Sequence, residues 1–338
     1  MSSLIGKTKH AGVWVFCEII NGKIQDVSLE MLGIGSQLAE QRGHKLYAVI
    51  LGHQTEPYVH TAWEYGADII IDVDDSSLQY FNDEDYAAIL LRLLRKYKPE
   101  IFLAGATANG RALVPRLAVL AHCGLTADCT GLAIDQETGA LLQTRPAFGG
   151  SLMATIRSDG FLPQLSTVRP GVMKAMKRKN AHPYELIKEK IIASDSTNHK
   201  KMLEIINEKS TETLQSNAHV VIAGGRGMGG KKGFDLLKKL ASMVDGAVGA
   251  SRAAVDAGWV SYGIQIGQTG QTVQSRVYIA CGISGQMQHL VGMSSSNLII
   301  AINTDRNAPI MKMADIAIVG DVFEIITKLI KMFETIKG

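Results

Sequence analysis

Six short stretches between His219 and Asp321 end in residues suited to gripping an extended, anionic ligand. In GGRGMGGKKGF (224–234), glycines that permit tight turns stand beside Arg226, Lys231 and Lys232, just ahead of a helical pattern, a combination that suits phosphate. It is not the lysine P-loop, because Gly233 follows Lys232 where that loop needs Ser or Thr. GASRAAVDAGW brings Ser251 and Arg252, which read equally as a helix cap and as a surface partner of Asp256 one turn on. IGQTG (266–270) holds Gln268 and Thr269, neutral donors and acceptors able to read a heterocycle edge, or else forms a plain turn. SGQMQH (284–289) reads as a helix start capped by Ser284, with His289 one turn in, where a lone histidine is also an ordinary surface residue. Asn303 closes LIIAIN and Asp321 closes IAIVGD, positions from which an amide or acid bonds ribose hydroxyls or an adenine edge. Asp321 is also placed to cap the last helix.

The elements that must position these residues are apolar, β-branched runs: HVVIAGG (219–225), AVGAS (247–251), IQIGQTG (264–270), VYIACG (277–282), LIIAIN (298–303) and IAIVGD (316–321). Runs without polar alternation read as strands covered on both faces, and helical patterns between them make the sheet mostly parallel. The second half is therefore expected to be a Rossmann-like doubly wound domain whose six loops share one long site beyond the carboxyl ends of the strands. Glycine supports this, since 17 of the 34 lie in the last 126 residues. So does charge, with 12 basic and 8 acidic residues after Glu212.

The first half alternates strand and helix patterns: VWVFCEI before a helix at 28–41, KLYAVILG before one at 57–65, ADIIIDV before 83–97 and EIFLAGAT before 111–121. Four such units specify a parallel α/β domain with right-handed crossovers. After Cys129 come strands without helices, CTGLAIDQ, ALLQTRPAF, SLMATIRS and PQLSTVRP, expected to form an antiparallel extension. ELIKEKII and KMLEIINE are further strand candidates, and the polar STETLQSN places the domain boundary near Glu212, giving domains 1–212 and 213–338. The first domain offers no acid/base pair or activated nucleophile; Arg145 in QTRPAFGG reads either as functional or as a surface ion-pair member.

Several function classes are excluded. A net charge of +3, without basic runs interleaved with aromatics, argues against nucleic acid. No apolar stretch approaches the roughly 20 residues of a membrane helix, and the N-terminus lacks a signal-peptide pattern, so a cytoplasmic protein is expected. Cys17, Cys123, Cys129 and Cys281 form no CxxC pair or zinc spacing, so no metal site is expected, and Cys17 and Cys281 sit in apolar strands as inert thiols.

At GGRGMGG, VGASRAAVDAGW, IGQTG, ISGQMQHLVGM, AINTD and APIMKMADIAIVGD, and back to KIQDVSLEMLGIGSQLAE, the chain resembles the large (alpha) subunit of the electron-transfer flavoproteins. The resemblance implies one FAD bound by the C-terminal domain and a beta subunit, itself carrying a second FAD or AMP, contacting the N-terminal one. Carried over by position, the FAD contacts fall on Arg226, Ser251, Arg252, Ile266, Gly267, Gln268, Thr269, Ser284, Gly285, Gln286, Met287, Gln288, His289, Asn303, Asp321 and Val322. Three of these would tune the flavin: Thr269 near N5, His289 near the N1/O2 edge and Arg252 close to the ring. A cation or donor beside a ring that has gained negative charge lowers its energy and raises its potential.

The implied function is electron transfer between flavoproteins, with an acyl-CoA dehydrogenase-type partner and a C-terminal domain that swings about the Glu212 region. QTRPAFGGSLMATI resembles the electron-bifurcating members, in which NADH feeds ferredoxin through the complex. The alternative from another class is a stand-alone nucleotide-binding module without a redox role.

Overall fold

The computed structural model describes residues 10–147, 152–158, 160–178, 182–196, 200, 214 and 218–337. The chain divides into two compact units, Met1–Ile205 and Ile206–Gly338. Glu212, the expected boundary, and the strand candidate KMLEIINE lie outside the described residues.

In the first unit the elements run β1 (Val13–Cys17), a hairpin of β2 (Ile19–Ile20) and β3 (Lys23–Ile24), α1 (Asp26–Arg42), β4 (Leu46–Gly52), α2 (Glu56–Glu64), β5 (Ile69–Asp74), α3 (Asp83–Tyr97), β6 (Ile101–Gly105) and α4 (Ala108–Ala121). There follow β7 (Leu125–Cys129), β8 (Gly131–Ile134), β9 (Leu141–Ala147), β10 (Leu152–Arg157), β11 (Gln164–Val168) and β12 (Glu185–Lys188). Seven strands make one parallel sheet in the order β12-β5-β4-β1-β6-β11-β7. Alternation along β1 shows why its run is apolar throughout: Val13, Val15 and Cys17 enter the core on one face, Trp14 and Phe16 the core on the other. Local chemistry sets the helix ends. Asn82 caps α3 by accepting from the Glu84 amide, with Asp83, Glu84 and Asp85 in the first turn and Arg95 and Lys96 in the last, the arrangement that complements the helix dipole.

The antiparallel extension is built by three of the four expected segments. β8, β9 and β10 form a separate sheet ordered β10-β9-β8, while PQLSTVRP supplies β11, which returns to the main sheet parallel to β6 and β7. Every residue of β11 is buried, and a strand buried at every position belongs between parallel neighbours rather than on a flap.

The second unit comprises β13 (Val220–Gly224), α5 (Lys231–Met243), β14 (Ala247–Ala250), α6 (Arg252–Asp256), β15 (Val277–Cys281), α7 (Met287–Leu290), β16 (Leu298–Asn303), α8 (Pro309–Met313), β17 (Ile316–Val319) and α9 (Val322–Lys337). Its parallel sheet is ordered β14-β13-β15-β16-β17. Only five of the six apolar runs are strands. In IQIGQTG, Ile264 ends a short 3-10 turn, and Gln265 and Ile266 make single bridges to Ala250 and Gln271. Gly267, at φ +144°, breaks the extended path, and the Gln268 amide bonds the Gln288 carbonyl at 2.7 Å instead of a ladder partner. The segment is a loop lying over the end of β14. No helix among the described residues is long and apolar enough to cross a membrane.

Helix α5 seats on the sheet through Phe234, Leu237, Leu240 and Ala241, spaced along one face and all buried. Replacing Phe234 by Ala is expected to cost the second unit about 3–5 kcal/mol, the range for emptying a packed aromatic site. Hydrogen exchange of the β13 amides in wild type and variant checks this; a loss below about 1 kcal/mol would contradict the burial.

Candidate functional site

Strand order decides where a ligand can enter. The chain leaves β13 for β14 on one side and then crosses to β15 on the other, so the loops after β13 and β15 diverge and open a crevice beyond the carboxyl end of the sheet. A cleft of about 1270 Å³ lies there. Every strand-end loop contributes to it: Arg226 after β13, Ser251 and Arg252 after β14, Ile283 and Ser284 after β15, Asn303 to Asp305 after β16, and Asp321 and Val322 after β17. The 265–269 loop forms another wall, together with Gln286, Gln288 and His289.

The loops are sewn to one another by their backbones. Gly225 N–H donates to the Cys281 carbonyl at 2.9 Å, Gly227 N–H to the Gly282 carbonyl at 3.0 Å and Ser251 N–H to the Gly224 carbonyl at 2.9 Å. The approach is close enough that a Cβ on Gly225 would lie 2.3 Å from the Gly282 oxygen, and one on Gly282, at φ +60°, would lie 2.7 Å from the Gly227 Cα. Glycines in GGRGMGG thus permit one turn to rest on another. Arg226 reaches the cleft, whereas Lys231 and Lys232 are not among its lining residues.

Side chains at the rim differ in how far they are committed. Arg252 bonds Asp256 one turn on at 3.3 Å, with both side chains well exposed, so the surface pair and the place on the cleft coexist. Such a pair contributes only a few tenths of a kcal/mol, roughly 0.3–0.5. Ser251 stands at the N-cap of α6 without a capping hydrogen bond from its side chain. Ser284 does not cap a helix either: α7 begins three residues later, after Gln286. Asn303 joins two loops, its Nδ2 donating to the Ile283 carbonyl at 2.8 Å and its Oδ1 accepting from the Asp305 amide at 2.9 Å. Asp321 caps α9 as expected, with Oδ1 accepting from the amides of Phe323 and Glu324 at 2.8 and 3.2 Å.

His289 is not a surface residue; it is 6% exposed. Its Nδ1 lies 3.1 Å from the Ile266 carbonyl and its Nε2 2.9 Å from the hydroxyl of Tyr278, which is fully buried on β15. A carbonyl only accepts, so Nδ1 carries the proton, and in the neutral ring Nε2 accepts from the tyrosine. Burial pushes its pKa down from 6.5 to about 4, partly opposed by the bond to Ile266. In this state the imidazole fastens the 265–269 loop to β15 and has no N–H left for the cleft. Cys281, also buried, has its thiol pushed up to about 12 by desolvation, an inert group as expected.

The structure gathers all the expected site residues at the cleft except Gly285 and Met287. Sequence reasoning missed Trp259, Gln265, Thr304 and Asp305, which also line it, and Tyr278, which supports His289. Trp259, Gln265 and the Thr304–Asp305 pair lie inside the quoted motifs, which already carried that signal. Tyr278 sits inside an apolar strand run and gives none.

Residues 13–193 match the family described as the electron transfer flavoprotein domain, and residues 215–294 the electron transfer flavoprotein FAD-binding domain. The electron transfer flavoprotein subunit alpha of Thermoanaerobacterium thermosaccharolyticum is 48% identical over 97% of this chain and 99% of its own. Protein FixB of Clostridium saccharobutylicum is 46% identical over 95% and 96%, and the acryloyl-CoA reductase electron transfer subunit beta of Anaerotignum propionicum 40% identical over 94% of both. The chain belongs to the electron transfer flavoprotein family, among its alpha subunits and FixB proteins. Its work is flavoprotein electron transport, with a flavin as the cofactor class and a beta subunit as companion.

The buried histidine makes stability depend on pH. Because its folded pKa lies below the unfolded value, the unfolded chain binds the extra proton first, so stability is intact above pH 6.5 and falls as pH drops toward about 4. The slope is about 1.4 kcal/mol per pH unit across that window. Denaturant unfolding of the wild type and of His289→Gln at several pH values checks this. The variant should lose the component; parallel curves would remove the assignment.

Proposed function

We propose that this chain binds one FAD along the carboxyl edge of its second sheet and, with its beta subunit, passes electrons between flavoprotein partners. The observation that carries the reading is the convergence of all five strand-end loops on one cleft at the point where the strand order reverses. The donor set fits the cofactor. Arg226 supplies positive charge for a diphosphate and Arg252 a cation for the ring, Gln268, Thr269, Gln286 and Gln288 supply neutral partners for a heterocycle, and Asn303 and Asp321 stand at strand ends where hydroxyls are bonded. The flavin, when bound, supplies the exchange of electrons singly or in pairs.

The protein's contribution is electrostatic and positional. Arg252 is exposed at the rim, where it pairs with Asp256 one turn on. A difference of about 1.4 kcal/mol between redox states shifts a one-electron potential by roughly 59 mV, so one charge-assisted hydrogen bond of roughly 1.5–3 kcal/mol is enough to matter.

The beta subunit is assigned to the first unit. Leu152, Met153 and Ile156 on β10, with Phe161 and Leu162 beyond it, are exposed, and so are Val119 and Leu120 at the end of α4. The Cys123 thiol just after α4 donates to the Leu162 carbonyl, which brings the end of α4 beside Leu162. Exposed apolar surface of this kind marks an interaction site. An acyl-CoA dehydrogenase or reductase is the proposed exchange partner, since the relative from Anaerotignum propionicum bears the name of an acryloyl-CoA reductase component. Bifurcation from NADH to ferredoxin is the narrower form of the reading and rests on QTRPAFGGSLMATI, whose residues 148–151 lie outside the described set.

Purification of the co-expressed heterodimer tests the main reading: a flavin spectrum whose FAD stays with this subunit is expected, and a colourless protein that takes up no FAD would sink it. Two flavins per heterodimer and ferredoxin reduction by NADH are expected of the bifurcating form; a complex that never reduces ferredoxin excludes it. Arg252→Ala should weaken FAD binding by about 10- to 150-fold, the equivalent of a charge-assisted hydrogen bond, while leaving folding stability within about 0.5 kcal/mol. Unchanged affinity would remove Arg252 from the site. Phe161→Glu combined with Leu152→Asp should abolish co-purification with the beta subunit, and intact heterodimer would place the interface elsewhere.

A further inference from the structure

The stretch STETLQSN is polar but for Leu214. That leucine is 4% exposed and belongs to the core of the second unit, together with Ile264 and Ile266. Its amide donates to the Gly263 carbonyl at 3.1 Å, an oxygen that also accepts from Gln271 Nε2 at 2.8 Å. Gly263 is the middle residue of the 3-10 turn Tyr262–Ile264, and Ser261 caps that turn by accepting from the Gly263 amide at 3.1 Å. Two side-chain bonds run from the turn to the wall of the cleft. The Tyr262 hydroxyl donates to the Thr269 carbonyl, and Nε2 of Gln265, the residue after the turn, donates to Thr269 Oγ1 at 3.1 Å. The turn thus links Leu214, which does not line the cleft, to Thr269, which does.

We propose that Leu214 is a positioning residue for the cofactor cleft: it anchors the chain entering the second unit to the turn that supports the 265–269 loop, so that the entry of that chain sets how the loop stands against the ligand. The inference rests on the FAD reading above and adds a mechanical link to it. Chain arriving from the first unit meets Leu214 before it meets β13, so load on it falls first on the contact of Leu214 with Gly263 and not on the sheet. A turn that bears this load carries Tyr262 and Gln265 with it. Coupling of this kind needs contiguous packed and hydrogen-bonded groups, which the path from Leu214 through Gly263, Tyr262 and Gln265 to Thr269 provides. Apolar burial suits the anchor, being favourable without setting a charge near the ligand.

The test uses the co-expressed heterodimer and reads FAD dissociation, the flavin potential and hydrogen exchange of the Gly267, Gln268 and Gly270 amides, each of which is bonded within the site. Leu240→Ala is the reference for lost packing in the same core, since Leu240 is 1% exposed on α5 and is not among the residues lining the cleft. Leu214→Ala should speed FAD dissociation by about 2- to 30-fold, the scale of coupling through a packed network. It should also lower the potential as the loop loosens from the ring, and speed exchange of the loop amides. Leu214→Met, similar in volume, should restore all three toward wild type. Leu240→Ala should leave FAD dissociation within about 2-fold and the potential unchanged. Should Leu214→Ala not fold, Leu214→Val against Leu240→Val carries the same comparison. Equal effects of the paired variants on dissociation and potential, or loop amides whose exchange Leu214→Ala does not move, would overturn the inference while the FAD reading stands. Wild type that binds no FAD would overturn the FAD reading instead, and exchange of the loop amides would still decide whether Leu214 anchors the turn.

Discussion

The contact between the turns that follow β13 and β15 is the constraint on which the second unit depends. These two strands are neighbours, but the chain departs from them in opposite directions, so their loops must separate to make a crevice and still close the sheet beneath it. The solution is backbone on backbone: the amides of Gly225 and Gly227 bond the carbonyls of Cys281 and Gly282, at separations that leave no room for a Cβ on Gly225 or Gly282. A side chain at either place would push the floor apart and widen the cleft it supports. Rigidity of the floor matters because hydrogen-bond donors that reorganise during electron transfer lose much of their electrostatic worth.

Above that floor, the 265–269 loop replaces a strand and gains a different kind of support. Its backbone is pinned to α7 through Gln268 and Gln288, and to β15 through the carbonyl of Ile266, His289 and Tyr278. The histidine is buried for this reason, and it also lines the cleft. Holding it neutral is favourable near neutral pH, since an imidazolium there would be desolvated with only a carbonyl and a phenol as partners. Tyr278 in turn satisfies a polar tip inside an apolar strand, so one hydrogen bond removes two buried liabilities.

Much of this was legible in the sequence, and the failures have physical causes. Continuous apolar runs marked the strands because a sheet covered on both faces leaves no polar alternation, and glycine or a small polar residue at each run's end marked the site. The same logic misread IQIGQTG, where β-branched residues serve packing over a sheet edge and Gly267 denies the extended path. PQLSTVRP was placed with its antiparallel neighbours in sequence because nothing local tells a flap strand from one that returns to the parallel sheet; only the burial of all five β11 residues does. Ser284 looked like a cap because a serine before a helical pattern usually is one, yet Gly285 turns the chain at φ +84° before α7 begins. Tyr278 stayed hidden because its role lies in a hydrogen bond to His289, which residue type alone does not reveal.

The first unit shows by contrast what makes the second a binding domain. Its sheet also reverses strand order, between β1 and β6, and so also opens a crevice at its carboxyl edge. What stands there is Glu18, 3% exposed, directly after β1, with one carboxylate oxygen accepting from Thr107 at 2.6 Å at the start of α4 and the other without a protein partner among the described residues. Burial raises its pKa, with the bond to Thr107 drawing it back. A carboxyl group at that end of α4 takes the place of any phosphate that the helix start would otherwise attract. The corresponding position in the second unit, after β13, holds Gly225 and then Arg226. Two sheets that reverse order in the same manner therefore present different groups at the turn after the central strand: a buried acid in the first, a glycine followed by an arginine in the second.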